Sequence, residues 1–198
     1  MAAVFLGKSG GARKSGVPKP EPSEFWNGYC RRDVVLKMEN KEDVNCMEVL
    51  GSHKPERDAC PPEMKIAPSM LSCDFARIGE ELIRMEKAGA DYIHLDVMDG
   101  CFVPNITIGP SVIRAMRPYT KIPFDVHLMI RDPLRYVENF AQAGADMISF
   151  HVEAESDVEE TIRSIRRLGV SPGLVLKPAT PVSVVLPYLP MVDMVLVM

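Results

Sequence analysis

From Lys65 onward, short apolar runs alternate with longer segments in which apolar residues recur every three or four positions; residues 1–63 sustain neither period. Ile66–Met70, Tyr92–Met98, Pro123–Ile130, Met147–Val152, Gly173–Lys177 and Asp193–Met198 therefore read as six strands. Between them, Asp74 caps a helix running through Lys87, with Phe75, Ile78, Leu82 and Met85 at helical spacing. A short helix follows Pro110, and Pro133 opens another at the favoured first position, running to Ala143. Asp157–Leu168 is a helix closed by Gly169, and Val182–Tyr188 is a short one. Residues 1–63 carry scattered Gly, Pro and charges, so they read as a low-order N-terminal extension with at most a short helix around Asp33–Leu50. The folded unit is expected over residues 64–198.

An internal echo supports this division. Lys87-Ala88-Gly89-Ala90-Asp91 precedes one strand and Gln142-Ala143-Gly144-Ala145-Asp146 precedes another, each a helix end feeding a buried strand through a tight turn. Strand-then-helix alternation implies an α/β fold with right-handed crossovers and a parallel sheet. A doubly wound sheet or a barrel satisfies that alternation. Ionisable groups collect in the C-terminal halves of the strands, which suits a barrel mouth better than a sheet covered on both faces.

Composition narrows the picture. With 23 Lys and Arg against 27 Asp and Glu, the chain is mildly acidic, which argues against nucleic acid or a membrane surface as partner. Cys30, Cys46, Cys60, Cys73 and Cys101 are widely spaced with no C-x-x-C pair, so a disulfide framework or zinc knuckle is not expected and a reducing, cytoplasmic setting fits. No apolar run approaches a membrane span. The start is basic and free of acids up to Glu21, faintly like a transit peptide, which leaves organelle targeting as the alternative location.

Side chains two apart on a strand share a face, so His94, Asp96 and Met98 line one face of the second expected strand and Asp125, His127 and Met129 one face of the third. If these strands are neighbours, two imidazoles and at least one carboxylate converge as a metal or acid–base site. The plain alternative is a core histidine bonded to a backbone carbonyl, less apt for two His and an Asp in register. Mixed nitrogen and oxygen donors suit zinc, manganese, iron or cobalt rather than calcium. Asp125 could orient a histidine or be an ordinary solvated or capping carboxylate. Met98 and Met129 could roof a bound sugar or simply fill core gaps. Ser69 could donate to a substrate or cap a turn; Asp99-Gly100 reads as a turn; His151 and Glu153 could reach the site, though their spacing does not require it; Lys177, before Pro178, could contact an anion or be solvated. No phosphate-binding glycine motif is visible.

Taken together, Ile66-Ala67-Pro68-Ser69-Met70-Leu71-Ser72, the stretch His94-Leu95-Asp96-Val97-Met98-Asp99-Gly100-Cys101-Phe102-Val103-Pro104-Asn105, Asp125-Val126-His127-Leu128-Met129 and Met194-Val195-Leu196-Val197-Met198 resemble ribulose-phosphate 3-epimerases, from about Met64 to the last residue. The resemblance implies a (β/α)8 barrel, usually homo-oligomeric (a dimer), that interconverts D-ribulose 5-phosphate and D-xylulose 5-phosphate in the pentose phosphate pathway. It implies that His94, Asp96 and His127 bind one divalent metal ion and that Asp96 is one of two proton-transfer acids. It further implies that Ser69 and His127 contact the phosphorylated pentulose and that Met98, Met129 and Met198 line its pocket. By the same resemblance the chain stops in strand six of eight. The aspartate of strand seven, which supplies a fourth ligand and the opposite acid, then lies outside it, as do two phosphate loops. The expectation is accordingly an epimerase by family whose activity as this chain is impaired. The alternatives are a truncated product that binds full-length subunits, or an allulose-phosphate epimerase. A decarboxylase of the orotidine-phosphate type or a hexulose-phosphate synthase would want a lysine in D-x-K-x-x-D, where this chain has Asp96-Val97-Met98-Asp99.

Overall fold

Alternating side chains give every strand two unlike faces, and the sheet sorts them: one face goes under helices, the other keeps the polar groups. The computed structural model describes residues 65–198. The expectations for residues 1–63, both the low-order extension and the helix around Asp33–Leu50, lie outside the described residues.

Five strands, β1 (Ile93–Met98), β2 (Phe124–Met129), β3 (Met147–His151), β4 (Ser171–Leu176) and β5 (Met194–Val197), form one parallel sheet in the order β1-β2-β3-β4-β5. Among the described residues, helix α1 (Ile78–Lys87) precedes β1, and α2 (Pro110–Met116), α3 (Val137–Ala143) and α4 (Val158–Arg167) connect β1 to β2, β2 to β3 and β3 to β4. A doubly wound sheet reverses its strand order partway, and this one does not, so the arrangement is that of a run of consecutive units of a (β/α)8 barrel.

Leu95, Val97, Val126, Leu128, Ile148, Phe150, Leu174 and Leu176 share one apolar cluster with Leu82 of α1, Ile113 of α2, Phe140 of α3 and Ile162 and Ile165 of α4. Each fully buried aliphatic side chain among them stabilises the fold by about 1.5–3 kcal/mol. The opposite face carries His94, Asp96, Asp125, His127, Ser149 and His151, all buried. It continues across the sheet into a second apolar cluster of Met147, Val175, Met194 and Leu196, against which Met198 packs.

Several element boundaries differ from the sequence expectation. Ile66–Met70 does not form a full strand. It gives β1 a single bridge, Ser69 to His94, and carbonyls at Ile66 and Pro68 that accept from Asp91, Tyr92 and His94. Pro68 has no N–H to return, and the chain then tightens into a 3-10 turn at Met70–Ser72. Asp74 caps as expected, but over a 3-10 turn at Phe75–Arg77 that precedes α1, which leaves Phe75 exposed rather than packed. Pro133 begins a turn, not the helix, and α3 starts at Val137. The segment Val182–Met191 holds Pro187 and Pro190, whose rings and missing N–H groups disfavour an α-helix, and it is 3-10 throughout. By contrast, Asp157 caps α4 through its carboxylate, which accepts from the Glu160 N–H at 2.7 Å.

On the polar face of β4, Gly173 leaves the room that its neighbours occupy. An added Cβ would stand 2.8 Å from both the Met194 methyl and Ser149 Cβ. Gly173→Val is therefore expected to lower stability by about 1–3 kcal/mol in urea unfolding, through overpacking. An unchanged midpoint would show that this face is looser than described.

Candidate metal centre

The register of β1 on β2 builds the site. His94 lies opposite Asp125, Asp96 opposite His127 and Met98 opposite Met129, so two rows of ionisable side chains stand below a row of thioethers. The His94 Nδ1 lies 2.7 Å from Asp125 Oδ2 and its Nε2 lies 3.3 Å from Asp96 Oδ1. That same Asp96 oxygen is 3.3 Å from His127 Nδ1. The other oxygen, Oδ2, accepts a short hydrogen bond from the Ser69 hydroxyl, whose oxygen in turn accepts from the Leu71 N–H at 3.1 Å. Ser69 thus caps a turn, one of the two roles weighed for it, and its hydroxyl hydrogen goes to Asp96.

Asp125 is completely buried and bonded to His94, so it orients a ring and is not a solvated carboxylate. Its Oδ1 is buried without a hydrogen-bond partner. Met129 is buried and Met98 half-buried above the cluster. Met198 lies across the sheet in the second apolar cluster. Asp99 is a turn former: its carboxylate accepts from the N–H groups of Cys101, Phe102 and Arg131, and these bonds outweigh burial and lower its pKa. The loop returns through Gly100, at φ +74°, where a Cβ would press on the Ile106 side chain at 2.9 Å.

Two features carried less sequence signal. Thr107 donates from Oγ1 to the Asp96 carbonyl at 2.6 Å and accepts from the Met98 N–H at 3.0 Å, holding the outer edge of β1 beside the cluster. This contact bridges a loop, so no local pattern announces it. His151 places its Nε2 3.0 Å from His127 Nε2, and the rings stack at 5.1 Å. The spacing of His151 and Glu153 did not require this, because the strand ends at His151 and Glu153 lies beyond it. Lys177 is half-buried, and its ammonium sits over the Phe102 ring, 3.8 Å from the centroid.

The electrostatics follow from the pairing. Burial opposes ionisation of Asp96, yet hydrogen bonds from His127, His94 and Ser69 win, and its carboxyl is held far below the usual range. Burial alone would lower His94, but Asp125 and Asp96 outweigh it and raise its pKa to about 9. Burial, with the neighbouring His127 as the next cause, pushes His151 down to about 4, so its ring is neutral near pH 7.

Whether the group fits a metal ion is answered by its donors. His94, Asp96 and His127 each offer one ligand atom, all within 4.8 Å of one another. The two separations of 3.3 Å match the spacing of about 3.3–3.4 Å between neighbouring ligands around a tetrahedral ion with bonds of about 2.0–2.1 Å. Two imidazoles and one carboxylate are the donor set of many catalytic zinc sites, which leave a position open. These three residues can hold a divalent cation.

The raised His94 value makes a pH prediction. A folded-state pKa above the ordinary imidazole value of 6.5 stabilises the metal-free fold fully below that value, and the contribution fades as pH rises through about 9. A cation at Nε2 must displace that proton. Zinc affinity, measured by chelator competition, is therefore expected to rise about tenfold per pH unit up to about 9 and to level off above it. A flat profile would contradict the assignment of His94 as a ligand.

Comparison with known proteins identifies the family. The Ribulose-phosphate 3 epimerase family profile matches residues 65–198. Ribulose-phosphate 3-epimerase of Bacillus subtilis is 54% identical over 135 residues, covering 68% of this chain and 62% of that protein. The chloroplastic ribulose-5-phosphate-3-epimerase of Arabidopsis thaliana is 51% identical over 135 residues, 67% of this chain and 48% of its own length. The cytoplasmic isoform of Oryza sativa subsp. japonica is 50% identical over 138 residues, 68% of this chain and 60% of its own. This chain thus spans about half to three-fifths of the length of these relatives. With a family match over two thirds of its residues, the chain belongs to the ribulose-phosphate 3-epimerase family.

Proposed function

We propose that this cluster serves epimerisation at C3 of a phosphorylated pentulose, interconverting D-ribulose 5-phosphate and D-xylulose 5-phosphate as a step of the pentose phosphate pathway. The observation that carries this reading is Asp96: an ionised, buried carboxylate held between two imidazoles and the Ser69 hydroxyl, within the family match. The proton on a carbon beside a ketone is weakly acidic, so its removal needs a positioned base and a sink for the charge that develops.

His94, Asp96 and His127 would hold the cation, one of zinc, iron, manganese or cobalt. Bound there, it would act as a Lewis acid toward the oxygens beside the reacting carbon. Asp96, already ionised, would take the C3 proton on one face of the sugar and return it in the reverse direction. Asp125 holds the His94 ring in place for this, and Ser69 fixes the Asp96 carboxylate and would also contact the substrate. His127 would also contact the substrate. Met98 and Met129 roof the site and exclude water; Met198 would close the pocket from the far side of the sheet.

The wider assignments are also proposals. The barrel unit is residues 64–198 and residues 1–63 an extension. The partner is a second copy of the chain, as a homodimer. The location is the cytoplasm, a reducing setting that suits the free thiols of Cys73 and Cys101, although named relatives include both a chloroplastic and a cytoplasmic form. Among the described residues, no helix is long and apolar enough to cross a membrane.

The three ligand residues include one carboxylate, so they supply the acid–base group for one face only. Metal-loaded 1–198 is therefore expected to show no more than trace epimerase turnover in a coupled assay. It is also expected to exchange the C3 proton of one of the two pentulose phosphates with deuterium from solvent, and Asp96→Asn is expected to abolish that exchange. Turnover near that of a full-length relative would refute the one-face account. Exchange untouched by Asp96→Asn would refute Asp96 as the base.

A further inference from the structure

Beyond the cluster, a buried polar chain continues from His127 toward the end of β4. His127 Nε2 faces His151 Nε2 at 3.0 Å, and His151 Nδ1 faces Glu153 Oε2 at 3.2 Å. Glu153 is itself anchored: its Oε1 accepts from the Lys177 N–H at 2.9 Å and from the Thr180 hydroxyl. Both rings are at most 1% exposed, and His151 is also covered by the Phe102 ring at 4.8 Å.

Two imidazole nitrogens at hydrogen-bond distance can share only one hydrogen, so one ring donates and the other accepts. A carboxylate accepts only, so Glu153 calls for a hydrogen on His151 Nδ1. In the neutral ring that leaves the lone pair on Nε2, aimed at His127. When a cation replaces the proton that His127 Nδ1 shares with Asp96 at 3.3 Å, the remaining hydrogen of His127 sits on Nε2 and the Nδ1 lone pair is free to bind. Counting gives the same result. The links Asp96–His127, His127–His151 and His151–Glu153 are three, whereas two neutral rings bring two hydrogens. All three links are filled with neutral rings once a cation takes the first.

We infer that His151 and Glu153 are positioning residues that fix the tautomer of His127, so that its Nδ1 lone pair faces the cation between His94 and Asp96. This inference rests on the metal-holding reading proposed above. It makes the two ligand histidines equivalent in design: Asp125 sets His94 directly, while Glu153 sets His127 through an intervening ring. Neither His151 nor Glu153 touches the substrate in this account.

Substitution separates this role from packing. His151→Phe keeps the ring volume and removes the acceptor, whereas His151→Gln places an amide oxygen close to where Nε2 stands. In zinc competition titrations, His151→Phe is expected to lose affinity roughly 10- to 100-fold, and His151→Gln to stay within about threefold of the unmutated chain. A merely structural role predicts the reverse order, because the aromatic replacement packs better than the amide. The unmutated chain supplies a second readout that does not depend on a variant folding. With isotope-labelled histidine and zinc bound, long-range nitrogen–proton correlation spectra are expected to show His151 protonated at Nδ1 and His127 at Nε2. Zinc binding with the opposite tautomer at either ring, or full affinity in His151→Phe, overturns the inference while leaving the metal site standing. Failure of the unmutated chain to bind zinc overturns the metal reading and this inference with it.

Discussion

The pairing of His94 with Asp125 and of Asp96 with His127 across two parallel strands is the constraint on which the site depends. These backbone hydrogen bonds set two acids and two imidazoles in a checkerboard, so each ring meets a carboxylate across the ladder and His94 meets a second along its own strand. Side chains alternate with period two, so a slip of one residue on either strand would bring Leu95 or Val126 into the cluster and expose a charge to the helices. The apolar face fixes the register, since Leu95, Val97, Val126 and Leu128 must all reach the helical core. Core packing and site geometry are thus one and the same set of contacts.

Four ionisable groups with at most 6% of their surface exposed would be costly to bury one at a time. Mutual pairing removes much of that cost, and the pKa directions record how. The carboxylate at the centre is held ionised by its donors, and the imidazole flanked by two carboxylates holds its proton. Breaking the set by removing one partner would leave a buried charge without compensation, a loss of about 3–5 kcal/mol in typical cases. A divalent cation can substitute for a proton in such an arrangement, because both imidazole nitrogens already stand 3.3 Å from the shared Asp96 oxygen. Stability of the empty fold and affinity for a metal therefore draw on the same side chains.

Much of this was legible in the sequence because period two and period 3.6 are local signals. Five strands, four helices and the two rows of site residues follow from them, and His94-x-Asp96 beside Asp125-x-His127 needed only the assumption of neighbouring strands. What escaped was non-local or set by backbone chemistry. Pro68 reduces the first expected strand to a bridge, and the turn begun by Pro133 delays α3 by four residues. Phe75 has helical spacing but lies in a 3-10 turn whose periodicity turns it outward. Thr107 reaches β1 across a loop, and the contact between His127 and His151 depends on the register of β2 on β3. Sequential strand order, which decides for a barrel-type arrangement over a doubly wound one, is a property of the sheet that no segment contains alone.

The chemistry proposed for this member of the ribulose-phosphate 3-epimerase family depends on one geometric statement: two imidazoles and one carboxylate share a single ion at the polar face of β1 and β2. X-ray absorption at the zinc edge of the zinc-loaded chain tests it most directly, because multiple scattering from imidazole rings counts the histidines. The account predicts two histidines and oxygen donors at about 2.0–2.1 Å around one zinc. A shell with one imidazole or none, or with sulfur from a cysteine, would contradict it.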